Sequence, residues 1–185
     1  MALSIGSELS ELIGEALQSP DRVIPGGITS ETQFERHWVE PTVCDVIREH
    51  APHLQVAVHG WKGRGVPLSG VDEVTRERFL GWKESKAWSV TYAWGRHTPD
   101  MAIRDRDAGA SMVIEVKFGA VTPGGGLSTG EVQRMIGQCV IAKVHHEQVV
   151  AVFGYRGELA RQDEAKLADW LKPQGIHVVV RSVPV

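Results

Sequence analysis

Two charged side chains lie where charges are least expected, in the middle of the apolar segment of residues 112–118. Because side chains alternate across a β-strand, Glu115 and Lys117 would share one face while the other face would be wholly apolar. Burying a carboxylate or an ammonium group without a partner is costly, so something must compensate for it. Mg²⁺ or Mn²⁺ would do so, because both ions prefer hard carboxylate oxygens.

A second carboxylate, Asp100, follows Pro99 at the start of a short segment that predicts a neighbouring strand. If that strand brings Asp100 beside Glu115, the carboxylates would lie about 4 Å apart and repel by roughly 4 kcal/mol at an effective dielectric of about 20. Bound Mg²⁺ would turn this repulsion into attraction and lower the pKa of a coordinated water. Lys117 would orient that water and neutralise charge developing on a phosphate. These residues therefore indicate phosphodiester hydrolysis.

The pattern of apolar and capping residues places these side chains in a mixed α/β fold. It predicts helices over residues 7–17, 30–50, 128–145 and 158–171, and strands over residues 54–58, 87–94, 100–104, 112–118, 148–155 and 176–183. Ser30 with Gln33 and Ser128 with Glu131 have the spacing of capping boxes at two helix starts. Pro41 would kink or restart the helix that begins at residue 30.

Two further patterns concern helix and strand faces. The helix over residues 128–145 carries an apolar stripe, which is expected to be buried and consists of Val132, Met135, Ile136, Cys139, Val140 and Val144. The strand over residues 87–94 alternates large and small side chains, so Trp88 and Trp94 are expected in the core. The helix over residues 7–17 would pack its apolar stripe on the core or on a partner.

The order of these residues resembles the PD-(D/E)XK signature of restriction-endonuclease-like nucleases. Pro99-Asp100 is followed by a spacer of fourteen residues (101–114) and then by Glu115-Val116-Lys117. The resemblance implies that Asp100 and Glu115 hold the metal and that Lys117 assists the attacking water. It also implies an αβββαβ core with a mixed central β-sheet flanked by helices, over roughly residues 30–155.

The resemblance extends to a glutamate on the helix before the first strand, which in many members adds a metal ligand. Glu31, Glu35 and Glu40 compete for this role here. We favour Glu35, because Glu40 abuts Pro41.

Several subfamilies also place a glutamine on the helix after E-x-K. Gln138 matches that position, with Gln133 as the alternative. The resemblance implies that Gln138 contacts the attacking water, Lys117 or a phosphate.

The charge distribution bears on the substrate. A formal net charge of -3 does not favour nucleic-acid binding, since phosphate partners usually draw a positive excess. Residues 60–106, however, hold nine Lys and Arg against six Asp and Glu, which makes this segment +3 and the remainder -6. Trp61, Lys62 and Arg64 lie in a glycine-rich loop within it and are the candidates for contact with nucleic acid, with DNA as the expected substrate.

Length and composition indicate one domain over residues 1–185. It would consist of an N-terminal helix and connector (1–28), the catalytic core (29–155) and a C-terminal helix and strand (156–185). No run of about 18 apolar residues exists to cross a membrane, and acidic residues replace the basic start of a secretory signal. A cytoplasmic protein is therefore expected, with Cys44 and Cys139 reduced and buried. A homodimer, with helix 7–17 as a possible dimer element, would allow both strands of a symmetric site to be cut.

Other interpretations remain open at this level. Glu115 and Lys117 could form an exposed ion pair on an edge strand, and Asp100 could be a turn residue after Pro99. Glu35 and Gln138 could lie on solvated helix faces. The chain could accordingly be a catalytically silent nucleic-acid-binding or assembly module with a nuclease-like fold, or an unrelated α/β metal-dependent hydrolase.

Overall fold

The computed structural model describes residues 3–58, 79–80, 89–92, 95–105, 107–123, 125–159 and 161–184. Five α-helices lie in these ranges, namely α1 (Ser7–Gln18), α2 (Glu31–Phe34), α3 (Glu40–His50), α4 (Thr129–Lys143) and α5 (Arg161–Leu171). A π-helical segment (Glu35–Val39) joins α2 to α3, and a 3₁₀ turn (Lys172–Gln174) follows α5. None of the helices in these ranges has both the length and the apolar composition needed to cross a membrane.

The described strands are β1 (Gln55–Val58), β2 (Phe79–Leu80), β3 (Val90–Tyr92), β4 (Gly95–His97), β5 (Met101–Arg104), β6 (Ser111–Ala120), β7 (Gln148–Arg156) and β8 (Ile176–Ser182). Six of them form one sheet in the order β2-β1-β5-β6-β7-β8. β5 runs antiparallel to both of its neighbours, β1 and β6. The other neighbouring pairs, β1 with β2, β6 with β7 and β7 with β8, are parallel. The predicted mixed α/β sheet is therefore confirmed, and each predicted helix and strand in the described ranges begins and ends within a few residues of its expected bounds.

The sheet is covered on both faces, which explains the long apolar runs in its central strands. One face packs against α1 and the α2–α3 unit, and Met112, Ile114 and Val116 of β6 belong to that core. The other face, which includes Val113, packs against α4 and α5. The apolar stripe of α1 lies in this chain's own core, since Leu9, Ile13 and Leu17 are all fully buried there.

The predicted strand over residues 87–94 is described only as β3, which pairs with β4 in a separate two-stranded sheet. This hairpin leads directly into β5. The predicted burial of Trp88 and Trp94 falls outside the described residues.

Of the two predicted capping boxes, the one at Ser30 is confirmed in part and the one at Ser128 is wrong. Ser30 caps α2, because its side-chain oxygen accepts a hydrogen bond from the backbone N–H of Gln33 at 3.3 Å. The Gln33 side chain, which in a capping box would accept from the Ser30 N–H, accepts from the Thr29 N–H at 2.8 Å. The predicted capping box of Ser128 and Glu131 is wrong, since the Ser128 side chain makes no capping hydrogen bond. The Glu131 carboxylate lies instead against Gly119 of β6, where a Cβ atom would collide with it.

The predicted buried stripe of α4 is also partly wrong. Met135, Cys139 and Ala142 are the residues of α4 that become fully buried. Val140 and Val144 are 44% and 74% exposed. They follow the buried positions by one or two residues, and at about 100° per residue this turns them away from the sheet.

We expect Ile13→Ala to lower the free energy of unfolding by about 2–5 kcal/mol, because it opens a cavity under a fully buried side chain. Urea denaturation followed by circular dichroism measures this change. Val23→Ala is the matched control, since Val23 is 82% exposed and its substitution should stay within about 0.5 kcal/mol. Equal effects of the two substitutions would mean that α1 is not part of the core.

Candidate functional site

Strand β6 carries Glu115 and Lys117 in the interior of the sheet. Glu115 is 0% exposed and Lys117 is 5% exposed. β7 pairs with β6 from Met112 to Ala120, and both side chains are buried although β5 pairs with β6 only as far as Ile114. The interpretation of this pair as an exposed ion pair on an edge strand is therefore wrong.

The partner strands of β6 differ in length. β7 pairs with β6 as far as Ala120, whereas β5 pairs with it only from Ser111 to Ile114. Beyond Ile114 no described strand accompanies β6 on the β5 side. The backbone N–H groups that point to this open edge need other acceptors, because a buried N–H without a partner is unfavourable.

Two carboxylates accept those hydrogen bonds. Asp100, immediately before β5, accepts one from Val116 N at 2.7 Å, and Glu31 of α2 accepts one from Phe118 N at 3.3 Å. The register pairs Met101 with Ile114, so its continuation places Asp100 opposite Glu115. Asp100 is thus more than a turn residue, since its side chain bonds to the strand that carries Glu115.

Lys117 bends toward the same open edge. Its Nζ atom donates to the carbonyl oxygen of Val116 and to Glu31 Oε1, the latter at 3.2 Å. Burial acts to lower the pKa of Lys117, but Asp100, Glu31 and Glu115 raise it, and the net direction is upward. The ammonium group therefore stays charged beside the carboxylates.

The three candidate glutamates of the helix all approach this region. Nine residues make two and a half turns of an α-helix with about 3.6 residues per turn, so Glu31 and Glu40 of a straight helix would point to opposite sides. The π-helical segment changes this spacing, because the Glu40 N–H donates to the carbonyl of Glu35, five residues earlier. The wider turn brings Glu40 toward Glu35 and Asp100, both of which raise its pKa.

Pro41 accounts for the position of the π-helical segment. In a regular α-helix its ring would meet the carbonyl of residue 37, and it has no N–H to donate. The predicted interruption at Pro41 is therefore seen as the π-helical segment immediately before it, after which α3 begins at Glu40 with Pro41 in its first turn.

The carboxylates of this region perturb one another. Burial raises the pKa of Asp100 well above its ordinary value, and Glu115 and Glu35 raise it further. Burial likewise raises the pKa of Glu35 to about 7, with Glu31 adding to the effect and Lys117 opposing it. Burial is also the main reason that the pKa of Glu40 rises to about 9. This is a concentration of carboxyl groups, with Lys117 as the one buried lysine among the described residues.

His97 also belongs to this site, and the sequence patterns did not single it out. Its Nε2 atom lies 2.7 Å from Glu115 Oε1, and its side chain is 8% exposed. The hydrogen bond acts to lower the pKa of Glu115, although burial acts more strongly in the opposite direction and the net shift is upward. The signal available in the sequence was a histidine three residues before Asp100.

The two glutamine candidates, Gln138 and Gln133, lie in different parts of the structure. Gln138 is half-buried on α4, and its Oε1 atom has no hydrogen-bond partner among the described residues. The next residue, Cys139, has its thiol pKa raised by burial and then by Glu115, so this part of α4 faces the site. Gln133 lies elsewhere, in an apolar groove of about 590 Å³ between α4 and α5 that shares no residue with the carboxylate cluster.

The predicted nucleic-acid contacts, Trp61, Lys62 and Arg64, lie outside the described residues.

Both cysteines are free and buried, as predicted.

The fit of a divalent metal can be judged from the carboxylate oxygens. Within the described ranges, no group of three or more His, Cys, Asp and Glu side chains could hold a metal ion as it stands. Hydrogen bonds to Val116 N and His97 already occupy Asp100 Oδ2 and Glu115 Oε1. Glu115 Oε2, in contrast, is buried and has no hydrogen-bond partner in the part of the chain that the structure describes. A buried anionic oxygen beside other carboxylates is the kind of donor that Mg²⁺ and Mn²⁺ select.

Comparison of the chain with family models, with curated proteins and with solved structures finds no match.

The raised pKa of Glu40 predicts that stability falls at alkaline pH. A carboxyl group that binds its proton more tightly in the folded chain contributes stability at low pH, and this contribution is lost as the pH rises through the folded pKa of about 9. The lowered pKa values of His146 and His177 act below about pH 6.5, outside this window. The Tm in EDTA should therefore fall by several degrees from about pH 7 to 9, since each kcal/mol shifts it by about 2–4 °C.

Glu40→Gln should reduce this fall, because glutamine resembles the neutral carboxyl group, and the remainder comes from Glu35 and Asp100, whose pKa values burial also raises. Glu49→Gln is the matched control, since Glu49 is an exposed residue of the same helix, and this variant should behave like wild type. A Tm that falls equally in all three proteins would show that Glu40 is not the titrating group.

Proposed function

We propose that this protein is a metal-dependent nuclease of the restriction-endonuclease-like type, which hydrolyses phosphodiester bonds with DNA as its substrate. The observation that carries the proposal is the meeting of Asp100, Glu115 and Lys117 at the open edge of β6. A lysine next to two buried carboxylates is the residue set of the PD-(D/E)XK signature, and it suits metal-assisted phosphodiester hydrolysis.

The order of the secondary-structure elements supports the proposal. A helix, α3, precedes three antiparallel strands, β1, β5 and β6, and these are followed by a helix, α4, and a parallel strand, β7. With β2 and the β3–β4 hairpin, which lie between β1 and β5, counted as additions, this corresponds to the αβββαβ order that the signature implies. α1 precedes that core, and α5 and β8 follow it.

Asp100, Glu115 and Glu35 would hold Mg²⁺ or Mn²⁺. Glu35 is supported by its surroundings, since burial and then Glu31 raise its pKa, Lys117 lowers it and Glu115 makes a smaller contribution that raises it. Glu40 and Glu31 also approach the region, and Glu31 is the helix glutamate that bonds directly to Lys117. The bound cation would supply an activated water and stabilise negative charge on the phosphate.

The chain's own residues supply orientation and charge. Asp100 is fixed by the Val116 N–H and Glu115 by His97, so neither carboxylate is free to rotate away. Lys117 keeps its positive charge and can donate to an attacking water or to a phosphate oxygen. Gln138 is proposed to contribute a second polar contact from α4, because its buried Oε1 atom lacks a partner among the described residues.

Contact of Trp61, Lys62 and Arg64 with DNA, a homodimer and a cytoplasmic location remain predictions. The basic segment of residues 60–106, which contains Trp61, Lys62 and Arg64, is the sequence feature that favours nucleic acid as the substrate.

The decisive experiment measures cleavage of circular and linear DNA, single- and double-stranded, in the presence of Mg²⁺ or Mn²⁺. Wild type should cut at least one of these substrates, and EDTA should abolish the activity. Lys117→Ala and Asp100→Ala should each lower the rate by at least about 100-fold, because each removes a group that acts on the reacting phosphate or its metal.

Asp107→Asn is the matched control, since Asp107 is an exposed acid in the turn between β5 and β6. This variant should cut like wild type. DNA binding by wild type without cleavage in either metal would overturn the nuclease proposal and favour the silent nucleic-acid-binding module. Metal-dependent hydrolysis of other phosphoesters but not of DNA would favour the unrelated hydrolase.

A further inference from the structure

We infer that His97 is a positioning residue, which holds one oxygen of Glu115 so that the other is presented to the metal. This inference rests on the proposed function, because it assumes the proposed metal ion. It goes beyond that function, because the PD-(D/E)XK pattern does not contain His97. It concerns the orientation of the Glu115 carboxylate and requires no change in the charge of His97.

The two oxygens of Glu115 are in different situations. Oε1 lies 2.7 Å from His97 Nε2, whereas Oε2 is buried with no hydrogen-bond partner among the described residues. A buried carboxylate with a single hydrogen bond has one oxygen fixed and one left for another ligand. A metal ligand needs this arrangement, since groups that hydrogen-bond to a ligand orient it toward the metal.

The position of His97 in the chain makes this contact rigid. His97 ends β4, and Asp100 follows after Thr98 and Pro99, whose ring restricts the backbone. The short segment from His97 to Asp100 thus contacts β6 twice. His97 bonds to the Glu115 side chain, and Asp100 bonds to the N–H of the next residue, Val116. One segment therefore sets both acidic groups of the site.

The alternative is that His97 is only a hydrogen-bonded core residue. In that case its replacement would lower stability without a specific effect on metal binding. The two roles can be separated, because Gln and Asn place a side-chain amide nitrogen at different distances from the backbone. The Gln nitrogen comes close to the place of Nε2, whereas the shorter Asn nitrogen comes close to the place of Nδ1.

The test measures Mn²⁺ binding to the intact protein by isothermal titration calorimetry and by the electron paramagnetic resonance signal of free Mn²⁺, in the absence of DNA. His97→Ala should weaken Mn²⁺ binding by about 10–100-fold, as expected for loss of a group that orients a ligand. His97→Gln should recover most of the affinity and His97→Asn little of it. Glu115→Gln serves as the reference for loss of the ligand itself, and thermal unfolding confirms that each variant is folded.

A second readout uses cleavage. The Mn²⁺ concentration for half-maximal activity should rise in His97→Ala by the factor found in binding, while the rate at saturating Mn²⁺ changes much less. Equal Mn²⁺ affinity in wild type and His97→Ala would overturn the inference, as would equal losses in the Gln and Asn variants. So would failure of wild type to bind Mn²⁺.

The inference and the proposed function fail in different ways. If wild type binds Mn²⁺ through Glu115 but cuts no DNA, the nuclease proposal fails, while the binding data still decide the role of His97. If DNA is cut and the His97 variants bind Mn²⁺ as wild type does, only the positioning role fails.

Discussion

The site depends on one constraint. β5 stops pairing with β6 after Ile114, so the backbone N–H groups of β6 beyond that residue need hydrogen-bond acceptors other than a strand. Backbone N–H groups in a buried strand must be hydrogen-bonded, and no described strand supplies acceptors for those of Val116 and Phe118 on this side. Asp100 and Glu31 supply them. The carboxylates that complete the backbone hydrogen bonding are thereby brought next to Glu115 and Lys117, so the same contacts that finish the strand also assemble the site.

This arrangement is electrostatically demanding. Burial and mutual repulsion raise the pKa values of Asp100, Glu35 and Glu40. Lys117 offsets the repulsion in part at Asp100 and Glu35, and Arg36 does so at Glu40. Such a cluster can be stabilised either by protonation or by a cation. The proposed metal ion would take the place of the protons and could also activate a water molecule. The carboxyl groups with raised pKa values are therefore the same residues that the proposed activity uses.

Much of this could be predicted from the chain. Strand alternation and the spacing from Asp100 to Lys117 identified the residues that the structure brings together, and apolar periodicity predicted the helices and strands. The errors concern side-chain direction. Glu131 has the spacing of a capping box but lies against Gly119, and Val144 follows the apolar period of α4 but is exposed. The spacing of residues cannot predict either position, because each depends on which part of α4 the neighbouring strands and helices cover.

The sequence by itself determined that one apolar strand must accommodate a carboxylate and an ammonium group, because the period of two is a local property of the backbone. Only the tertiary structure decided which groups meet them. His97 reaches Glu115 across 18 residues of chain, and Glu31 reaches Lys117 across 86. The π-helical segment determines that Glu40 joins the same side of its helix. Contacts between distant residues depend on how the helices and strands pack, and the periodicity of a single helix or strand carries no information about that packing.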